Sequence, residues 1–418
     1  MIKAPHIYYE KDNLMVESIT VEEIINEVGT PAYIYSKSSF IEKLSQLKDV
    51  FANFSTIICY SIKVCHNTNI IKTFANEGCG ADIVSGGELY RALKAGVNPR
   101  KIVYSGVGKT TKEIVEAINA DILMLNVESE QELERINLIG KSLNRKVPIS
   151  IRVNPDVDAK THPYITTGMN ENKFGIDSGK VMEIYKIADG MSNINVCGID
   201  LHIGSQLLDL KPYGDAMKIA AGYVKQLKAE NIEIKYVDVG GGLGVSYKEE
   251  QNSISVREYA SMITEPFKDI KDITFILEPG RFLTAEAGIL VTRVQYEKEN
   301  LYGKKFLIVD TGMHHLIRPP LYGGYHNIIP VKKNQDTMIK ADVVGPICES
   351  ADFLGKERLI GKVSQNDLLA VTDAGAYGIV LASHYNSHSL PVEVLVDGSK
   401  HKVIRKRETY EELLNGEV

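Results

Sequence analysis

One lysine stands where its amine could do covalent chemistry. Lys63 follows the apolar run at residues 57–60, which predicts a buried strand, so its side chain begins near a strand end. Burial disfavours the charged ammonium and yields the free amine that forms a Schiff base with a carbonyl compound. The alternative is a lysine that simply extends into solvent where the strand ends.

A glycine-rich turn follows another apolar run. Three consecutive glycines at 240–242 come directly after residues 234–239. Without side chains, the backbone N–H groups of such a turn could converge on a phosphate. The pattern is not the dinucleotide-binding GxGxxG motif, because no acidic residue stands at the required spacing on a following strand. Ser205 and Arg281 are candidates for further phosphate ligands.

A carboxylate and an imidazole also stand at predicted strand ends. Glu278 follows the apolar run 275–277, and His202 follows the run 198–201. A buried carboxylate next to a heterocyclic nitrogen keeps that nitrogen protonated, which pyridoxal phosphate needs to act as an electron sink. Alternatively, Glu278 forms a structural pair with an arginine. His202 is either a hydrogen-bonded core histidine or a flat ring stacked on a cofactor.

Three further motifs lie in the last third of the chain. Cys348 and Glu349 follow a predicted strand, and a thiol that moves protons needs an accessible, electropositive setting. A glycine-rich stretch places Tyr377 on a tight turn. Arg318 and Tyr322 put a guanidinium near a phenol, which suits bidentate binding of a carboxylate. Each motif alone is also compatible with a structural role.

The elements that must position these residues form a repeating pattern. The eight predicted strands are 57–60, 81–84, 101–104, 121–126, 149–153, 198–201, 234–239 and 275–277. They alternate with amphipathic helices, which predicts a parallel α/β sheet that can close into a (β/α)8 barrel. In such a barrel the active site forms at the C-terminal mouth. An open, doubly wound sheet would show the same alternation.

A second, β-rich domain is predicted after residue 281, where the pattern changes. Strands are predicted at 289–296, 305–310, 340–344, 368–372 and 391–396, and only 410–414 has a helical pattern. At 418 residues the chain is long enough for one α/β barrel and this C-terminal domain.

Composition and charge exclude several classes of protein. The net charge of −6 argues against a general nucleic-acid binder, which usually carries a basic face. No apolar run approaches the roughly 20 residues that span a bilayer, and residues 1–10 lack the apolar segment of a secretory signal. Five cysteines without a CxxC pair indicate neither a disulfide framework nor a zinc site. We therefore expect a cytoplasmic protein with reduced thiols, no metal, and no nucleic-acid or membrane partner.

In their order along the chain, these motifs resemble the fold type III pyridoxal-phosphate decarboxylases, in particular the diaminopimelate decarboxylase family. The resemblance runs from about residue 31 to the tail at 405–411. The motifs that carry it lie at 60–63, 82–88, 152–155, 162–168, 173–175, 202–205, 240–242, 278–281, 318–319, 348–350 and 375–377. The resemblance implies pyridoxal phosphate as the cofactor. It also implies loss of carbon dioxide from meso-2,6-diaminopimelate, which gives L-lysine in the last step of lysine biosynthesis.

The resemblance implies a role for each matching residue. Lys63 would carry the cofactor, His202 would stack on its ring, and Glu278 would pair with its pyridine nitrogen. Further implied cofactor-binding residues are Asp82, Ser205, Gly241, Gly242, Gly280, Arg281 and Tyr377. Implied substrate-binding residues are Arg281, Arg318, Tyr322, Tyr377 and Glu349, the last of these for the distal ammonium. Cys348 would be the proton donor, so the implied catalytic residues are Lys63, His202 and Cys348.

The resemblance also implies how domains and subunits are arranged. A cofactor-binding barrel would span residues 31–281, and residues 1–30 would join 282–418 in the β-rich domain. Cys348 and Glu349 would reach the active site of the neighbouring subunit of a homodimer. The chain departs from the family pattern at Asp200, at His314-His315 and at residues 388–390.

Several other functions remain as alternatives. A decarboxylase of the same fold could act on ornithine, lysine or arginine, but Arg318 and Tyr322 argue against a substrate without a second carboxylate. Cys348 and Glu278 disfavour an alanine racemase, a more distant barrel relative. An inactive regulatory homologue would be expected to lose Lys63 or Cys348, and the chain has both.

Overall fold

The computed structural model describes residues 2, 4–157, 173–252, 254–333 and 337–418. The motif at 162–168 lies outside the described residues. The chain forms two compact units. The first, the barrel unit, comprises Leu44–Val245 and Ser253–Gly280, and the second, the β-rich unit, comprises Met1–Lys43, Ser246–Asn252 and Arg281–Val418.

The strands and helices below are those of the described residues. The strands are β1 Ile7–Glu10, β2 Asn13–Val16, β3 Ile19–Thr20, β4 Ala32–Ser36, β5 Thr56–Ser61, β6 Gly80–Ile83, β7 Ile102–Tyr104, β8 Met124–Val127, β9 Val147–Asn154, β10 Ile176–Asp177, β11 Ile194–Asp200, β12 Tyr236–Asp238, β13 Thr274–Leu277, β14 Gly288–Glu299, β15 Lys305–Val309, β16 Ile328–Pro330, β17 Met338–Val344, β18 Phe353–Gly361, β19 Leu368–Val371, β20 Val392–Asp397 and β21 Lys400–Arg405. The helices are α1 Val21–Val28, α2 Lys37–Val50, α3 Thr68–Asn76, α4 Gly86–Lys94, α5 Thr111–Asn119, α6 Glu130–Leu143, α7 Val181–Asp189, α8 Lys211–Ala229, α9 Val256–Thr264, α10 Arg281–Thr284, α11 Arg318–Tyr322 and α12 Tyr410–Leu413.

Eight parallel strands close into the predicted barrel. Their order is β5, β6, β7, β8, β9, β11, β12 and β13, and β13 pairs with β5 to complete the ring. The short strand β10 adds to β9 outside this ring. All eight predicted strands are present, so the (β/α)8 prediction is confirmed and the open doubly wound sheet is excluded.

Five barrel helices, α3, α4, α5, α6 and α9, begin at a residue whose side chain caps the helix. Thr110 accepts a hydrogen bond from the Glu113 N–H, and the Glu113 carboxylate accepts one from the Thr110 N–H, which makes a complete capping box for α5. At α6, Ser129 caps the Glu132 N–H, but the Glu132 carboxylate accepts from the Glu128 N–H instead. The capping box at Ser129 is therefore only half formed.

The β-rich unit contains two sheets. Strands β1, β2 and β3 form a small antiparallel sheet, and a larger sheet runs in the order β18, β17, β15, β14, β4, β20 and β21. Strand β19 pairs with β14 and β16. Apolar residues from the first 34 positions pack with β14, β19 and β20 in one buried cluster. The first residues of the chain thus share a core with its last third.

Strand β4 changes the boundary between the two regions. It pairs with β14 and β20, so it belongs to the β-rich unit, although the barrel was expected to span residues 31–281. The strand and the helix after it resemble one more βα repeat, which is why the pattern alone does not separate them.

No helix in the described ranges is both long and apolar enough to cross a membrane.

Candidate active site

The predicted residues of the barrel unit lie at or directly after strand ends. They are Lys63, Asp82, His202, Ser205, Gly241, Gly242, Glu278 and Gly280, at the ends of β5, β6, β11, β12 and β13. Parallel strands direct their carboxyl ends to one mouth of a barrel. The structure therefore brings these eight residues to the same end of the barrel.

A buried carboxylate holds the amine of Lys63. The Nζ atom lies 2.5 Å from Oδ2 of Asp82, and the hydroxyl of Ser61 donates to the same oxygen. Asp82 is fully buried, whereas 31% of the Lys63 side chain is exposed. The other oxygen of Asp82 has no hydrogen-bond partner among the described residues. The amine is thus oriented by Asp82 and still accessible to a carbonyl compound.

Glu278 is a buried acid among other buried acids. Its Oε1 lies 3.5 Å from the Ser105 hydroxyl. Burial raises the pKa of Glu278 well above its usual range, and the carboxylates of Asp238 and Asp82 raise it further. Burial also raises the pKa of Asp238 to about 6. Glu278 therefore favours its protonated form until a positively charged or N–H-bearing group lies beside it.

The ring of His202 is held in a single neutral form. The N–H of Gly241 donates to its Nδ1 at 3.1 Å, so the ring proton lies on Nε2. Burial, together with the charges of Arg152 and Lys63, lowers the pKa of His202 well below its usual range. Arg152 also donates to the carbonyl oxygen of His202 and pairs with Glu128 at 2.6 Å. This pair fixes the backbone that carries the ring.

The glycine turn after β12 is packed too closely for side chains. Gly240 and Gly242 have φ angles of +70° and +92°, and a Cβ at Gly242 would contact the carbonyl oxygen of Gly204. The N–H of Gly240 donates to Asp238, and that of Gly241 to the imidazole described above. Those two N–H groups are therefore already bonded within the protein. The backbone N–H of Gly242 remains the candidate donor to a phosphate.

Two buried arginines of the β-rich unit lie among tyrosines. Arg281 donates to the hydroxyl of Tyr247 at 2.9 Å, and its guanidinium lies 4.8 Å from the ring centre of Tyr377. The guanidinium of Arg318 lies 4.9 Å from the ring centre of Tyr247. Aromatic faces stabilise a guanidinium while leaving its N–H edges available for an anion. Tyr377 sits at a φ of +55°, on the tight turn that the sequence predicts.

Arg318 is oriented by a hydrogen bond to the neutral ring of His326. Its Nε donates to Nε2 of His326 at 3.2 Å, and Nδ1 of His326 bonds to the carbonyl oxygen of Thr372 at 3.0 Å. Burial, then the charge of Arg318, lowers the pKa of His326 to about 3. Within the described part of the chain, no carboxylate pairs with Arg318. Tyr322, half-buried, ends the short helix α11 that begins with Arg318.

Cys348 and Glu349 lie on an exposed turn of the β-rich unit. Cys348 is the exposed one of the five free cysteines, and the other four are buried. The carboxylate of Asp352 accepts hydrogen bonds from the N–H groups of Ile347 and Met313, at 2.7 and 2.6 Å. These bonds fix the start of the turn and leave the thiol accessible.

Comparison with known proteins decides the family. A family model described as "Pyridoxal-dependent decarboxylase, pyridoxal binding domain" matches residues 37–285. A diaminopimelate decarboxylase of Aquifex aeolicus is 45% identical over 97% of this chain and 96% of its own length. The chain belongs to the pyridoxal-dependent decarboxylase family.

Solved structures give the same relationship. A diaminopimelate decarboxylase from Helicobacter pylori, complexed with L-lysine, has a TM-score of 0.91 and 42% identity, and the match covers 94% of this chain and 98% of that one. One from M. jannaschii, also in complex with L-lysine, has a TM-score of 0.95 and 36% identity, covering 100% and 99%.

The residues of the barrel unit fit the cofactor of this decarboxylase family. Lys63 offers an accessible amine for covalent attachment, and Glu278 is a buried acid that a ring N–H would satisfy. His202 presents a flat, neutral ring, and the N–H of Gly242 is the candidate donor to the phosphate. The matched model is a pyridoxal binding domain that covers this barrel, so pyridoxal phosphate is the cofactor of the protein.

Sequence reasoning missed several residues of this decarboxylase that orient the predicted ones. They are Glu128 and Arg152 behind His202, Tyr247 and His326 around the arginines, and Asp352 below Cys348. Only Arg152 lay in a motif that the sequence singled out. The others lie outside those motifs, and their roles follow from contacts that only the folded chain shows.

The histidines that depart from the family pattern lie together, with His314 and His315 buried and His388 half-buried. The ring of His314 lies 3.7 Å from that of His315 and 4.6 Å from that of His388. His314 is 2% exposed, and neither of its ring nitrogens has a hydrogen-bond partner among the described residues. Burial, then the nearby His388, lowers the pKa of His314 to about 4.

This pKa predicts an acid sensitivity of the fold. As the pH falls below the ordinary histidine value of 6.5, the unfolded chain binds a proton at His314 before the folded chain does, so stability is lost between about pH 6.5 and 4. His314→Phe keeps the ring contacts and removes the titration. Between pH 7.5 and 5, wild type should lose about 1 to 2 kcal/mol more stability than the variant in urea unfolding. An equal loss in both proteins would contradict the assignment.

Proposed function

We propose that the protein removes carbon dioxide from the D-configured centre of meso-2,6-diaminopimelate and releases L-lysine. The observation that carries this proposal is the match to diaminopimelate decarboxylases over nearly the whole chain, at 45% identity for the Aquifex aeolicus protein. The relatives from Helicobacter pylori and M. jannaschii are both complexed with L-lysine, the product of this reaction. The reaction makes the protein a carboxy-lyase.

Lys63 and Glu278 are the residues that we assign to the reactive part of the cofactor. When bound, pyridoxal phosphate supplies an electron sink for the pair of electrons that carbon dioxide leaves behind. Lys63 binds it covalently through Nζ, which Asp82 orients. Glu278 would face the ring nitrogen, where a protonated ring would offset the burial and the neighbouring carboxylates that raise the pKa of Glu278, and its carboxylate would in turn stabilise the protonated ring. His202 would supply a flat neutral ring for the cofactor ring to pack on.

The remaining cofactor contacts are assigned to the phosphate end. Ser205, Gly242, Arg281 and Tyr377 are the residues we assign there, and Gly241 and Gly280 are assigned to the cofactor site without a phosphate contact. Gly242 and Gly280 leave no room for a side chain, since a Cβ at Gly280 would meet the side chains of Val64 and Ser61. Gly241 contributes by holding His202 rather than by donating to the phosphate.

The distal end of the substrate carries a second carboxylate and a second ammonium. Arg281, Arg318, Tyr322 and Tyr377 are the residues we assign to the carboxylate. Arg318 has the strongest support, because it is buried, oriented by His326 and unpaired with any described carboxylate. Glu349 is assigned to the distal ammonium. A site built to pair such groups rejects analogues that lack them, since its own buried groups would then stay unpaired.

Cys348 is assigned as the proton donor to the carbon that has lost its carboxylate. It is the exposed thiol among five free cysteines, so it can reach a bound substrate and exchange protons with solvent. The buried cysteines lack this access. Burial raises the pKa of Cys197, for example, to about 12.

The nearest alternative substrates are ornithine, lysine and arginine. Each lacks the second carboxylate that Arg318 would pair with, so a buried guanidinium would be left without an anion. Purified protein with pyridoxal phosphate should therefore release carbon dioxide from meso-diaminopimelate far faster than from lysine or ornithine. Faster release from ornithine or lysine would overturn the substrate assignment while keeping the reaction class.

The active site is proposed to be shared between the two subunits of a homodimer, with Cys348 and Glu349 serving the neighbouring subunit. Two-fold dimers contribute each interface patch twice, so two inactive variants can rescue each other. Lys63→Ala and Cys348→Ala proteins, mixed after dissociation, should form mixed dimers with one complete site. Random pairing makes about half the dimers mixed, so activity near a quarter of wild type is expected.

The control for this experiment is a direct measurement of subunit exchange, for example between differently tagged chains. If exchange occurs and the mixture stays as inactive as its parents, Cys348 serves its own chain or has no catalytic role. We also propose a cytoplasmic location, which four buried and one exposed reduced cysteines support.

A further inference from the structure

Glu349, whose carboxylate is proposed to bind the distal ammonium, accepts a hydrogen bond from a tyrosine. The hydroxyl of Tyr385 donates to Oε2 of Glu349 at 2.9 Å. Both residues are exposed, and Tyr385 is 44% exposed. An exposed glutamate samples several rotamers at little cost, so a bond that selects one of them changes what the carboxylate can bind.

The segment that carries Tyr385 also holds Cys348. The side-chain oxygen of Asn386, the next residue, accepts from the Cys348 N–H at 3.3 Å. Asn386 and Ser387 have φ angles of +55° and +57°, a conformation that few residues other than glycine adopt. Such backbone persists only where surrounding contacts determine it, and it is frequent at functional sites.

Contacts on both sides fix this segment. The Ser383 N–H donates to the carbonyl oxygen of His314 at 2.8 Å, before Tyr385. Glu408 pairs with His384, directly before Tyr385, at 2.7 Å, and accepts from the Leu390 N–H, after it, at 2.9 Å. Tyr385 is therefore a fixed donor, and Glu349 adapts to it rather than the reverse.

We propose that Tyr385 is a specificity-determining positioning residue, which orients Glu349 so that its second oxygen, Oε1, receives the distal ammonium of the substrate. The inference rests on the proposed function, in which Glu349 binds that ammonium. A phenol is a neutral donor, so it leaves the negative charge of Glu349 available. A carboxylate already held in its binding rotamer loses less entropy when the substrate arrives, which strengthens binding.

Tyr385→Phe tests this inference, since it removes one hydroxyl and keeps the ring. On meso-diaminopimelate, KM should rise about 5- to 20-fold, as for a lost hydrogen bond to a charged group, while kcat changes less than about twofold. 2-Aminopimelate keeps both carboxylates but lacks the distal amine. Its inhibition constant as a competitor should therefore be the same for wild type and variant.

Tyr296→Phe is the matched control, because Tyr296 is an exposed tyrosine on β14, and it should leave every constant unchanged. An unchanged KM for Tyr385→Phe, or equal weakening of both ligands, would show that the phenol is merely structural. Wild type is assayed first, and absence of turnover on meso-diaminopimelate would overturn the proposed function itself. Thermal unfolding of each variant establishes that it is folded.

Discussion

Lys63→Ala protein is expected to lose decarboxylation entirely, together with the visible absorbance that the covalently bound cofactor gives. The amine of Lys63 lies against the buried carboxylate of Asp82 at the end of β5, and alanine leaves no nucleophile at that position. The fold should survive, because 31% of this side chain is exposed and its loss opens no apolar cavity. Absorbance spectra with and without borohydride, and carbon dioxide release, measure both effects.

The control for this variant is Lys94→Ala, at an exposed lysine in the last turn of α4. It should retain the visible band and full activity. Some cofactor can remain bound to Lys63→Ala through its phosphate, but without the covalent band. Full activity in a purified Lys63→Ala protein is incompatible with the assignment of the whole site.

Arg318→Ala should lose catalysis on meso-diaminopimelate while its cofactor spectrum stays unchanged. The variant removes a buried, oriented guanidinium that we assign to the distal carboxylate. A lost charge-assisted bond costs about 2 to 3 kcal/mol, which is roughly 30- to 150-fold in kcat/KM. Arg318→Lys keeps the charge but not the two-pronged geometry, so it should recover only part of the loss.

The spectrum separates two explanations of an inactive Arg318→Ala protein. If the cofactor band is lost as well, Arg318 supports the fold. An unaltered kcat/KM would remove Arg318 from the substrate site and reopen the question of ornithine or lysine as substrates.

The barrel was predictable because its signals are local. Each strand is a short apolar run followed by a polar residue, and Lys63, His202 and Glu278 stand at such ends as the pattern predicts. Parallel strands then bring those ends together without further information. Helix starts are also encoded locally, as at α5, where Thr110 and Glu113 lie three residues apart and form a capping box.

What escaped sequence reasoning depends on contacts between distant segments. Strand β4 looks like a barrel strand until its pairing with β14 and β20 is known. Tyr247 lies 34 residues before its partner Arg281, and Tyr385 lies 36 residues after Glu349. No periodicity or spacing links such pairs, so only the folded chain shows which side chains orient the predicted ones.

Conversion of meso-diaminopimelate to L-lysine at this site is tested most directly by analysis of the products. Purified protein with pyridoxal phosphate and meso-diaminopimelate should form carbon dioxide and L-lysine in equal amounts, with no D-lysine. Chiral chromatography of the products, beside a measurement of released carbon dioxide, gives both quantities in one reaction. Conversion of the substrate to its stereoisomers without carbon dioxide, or no conversion at all, would contradict the account.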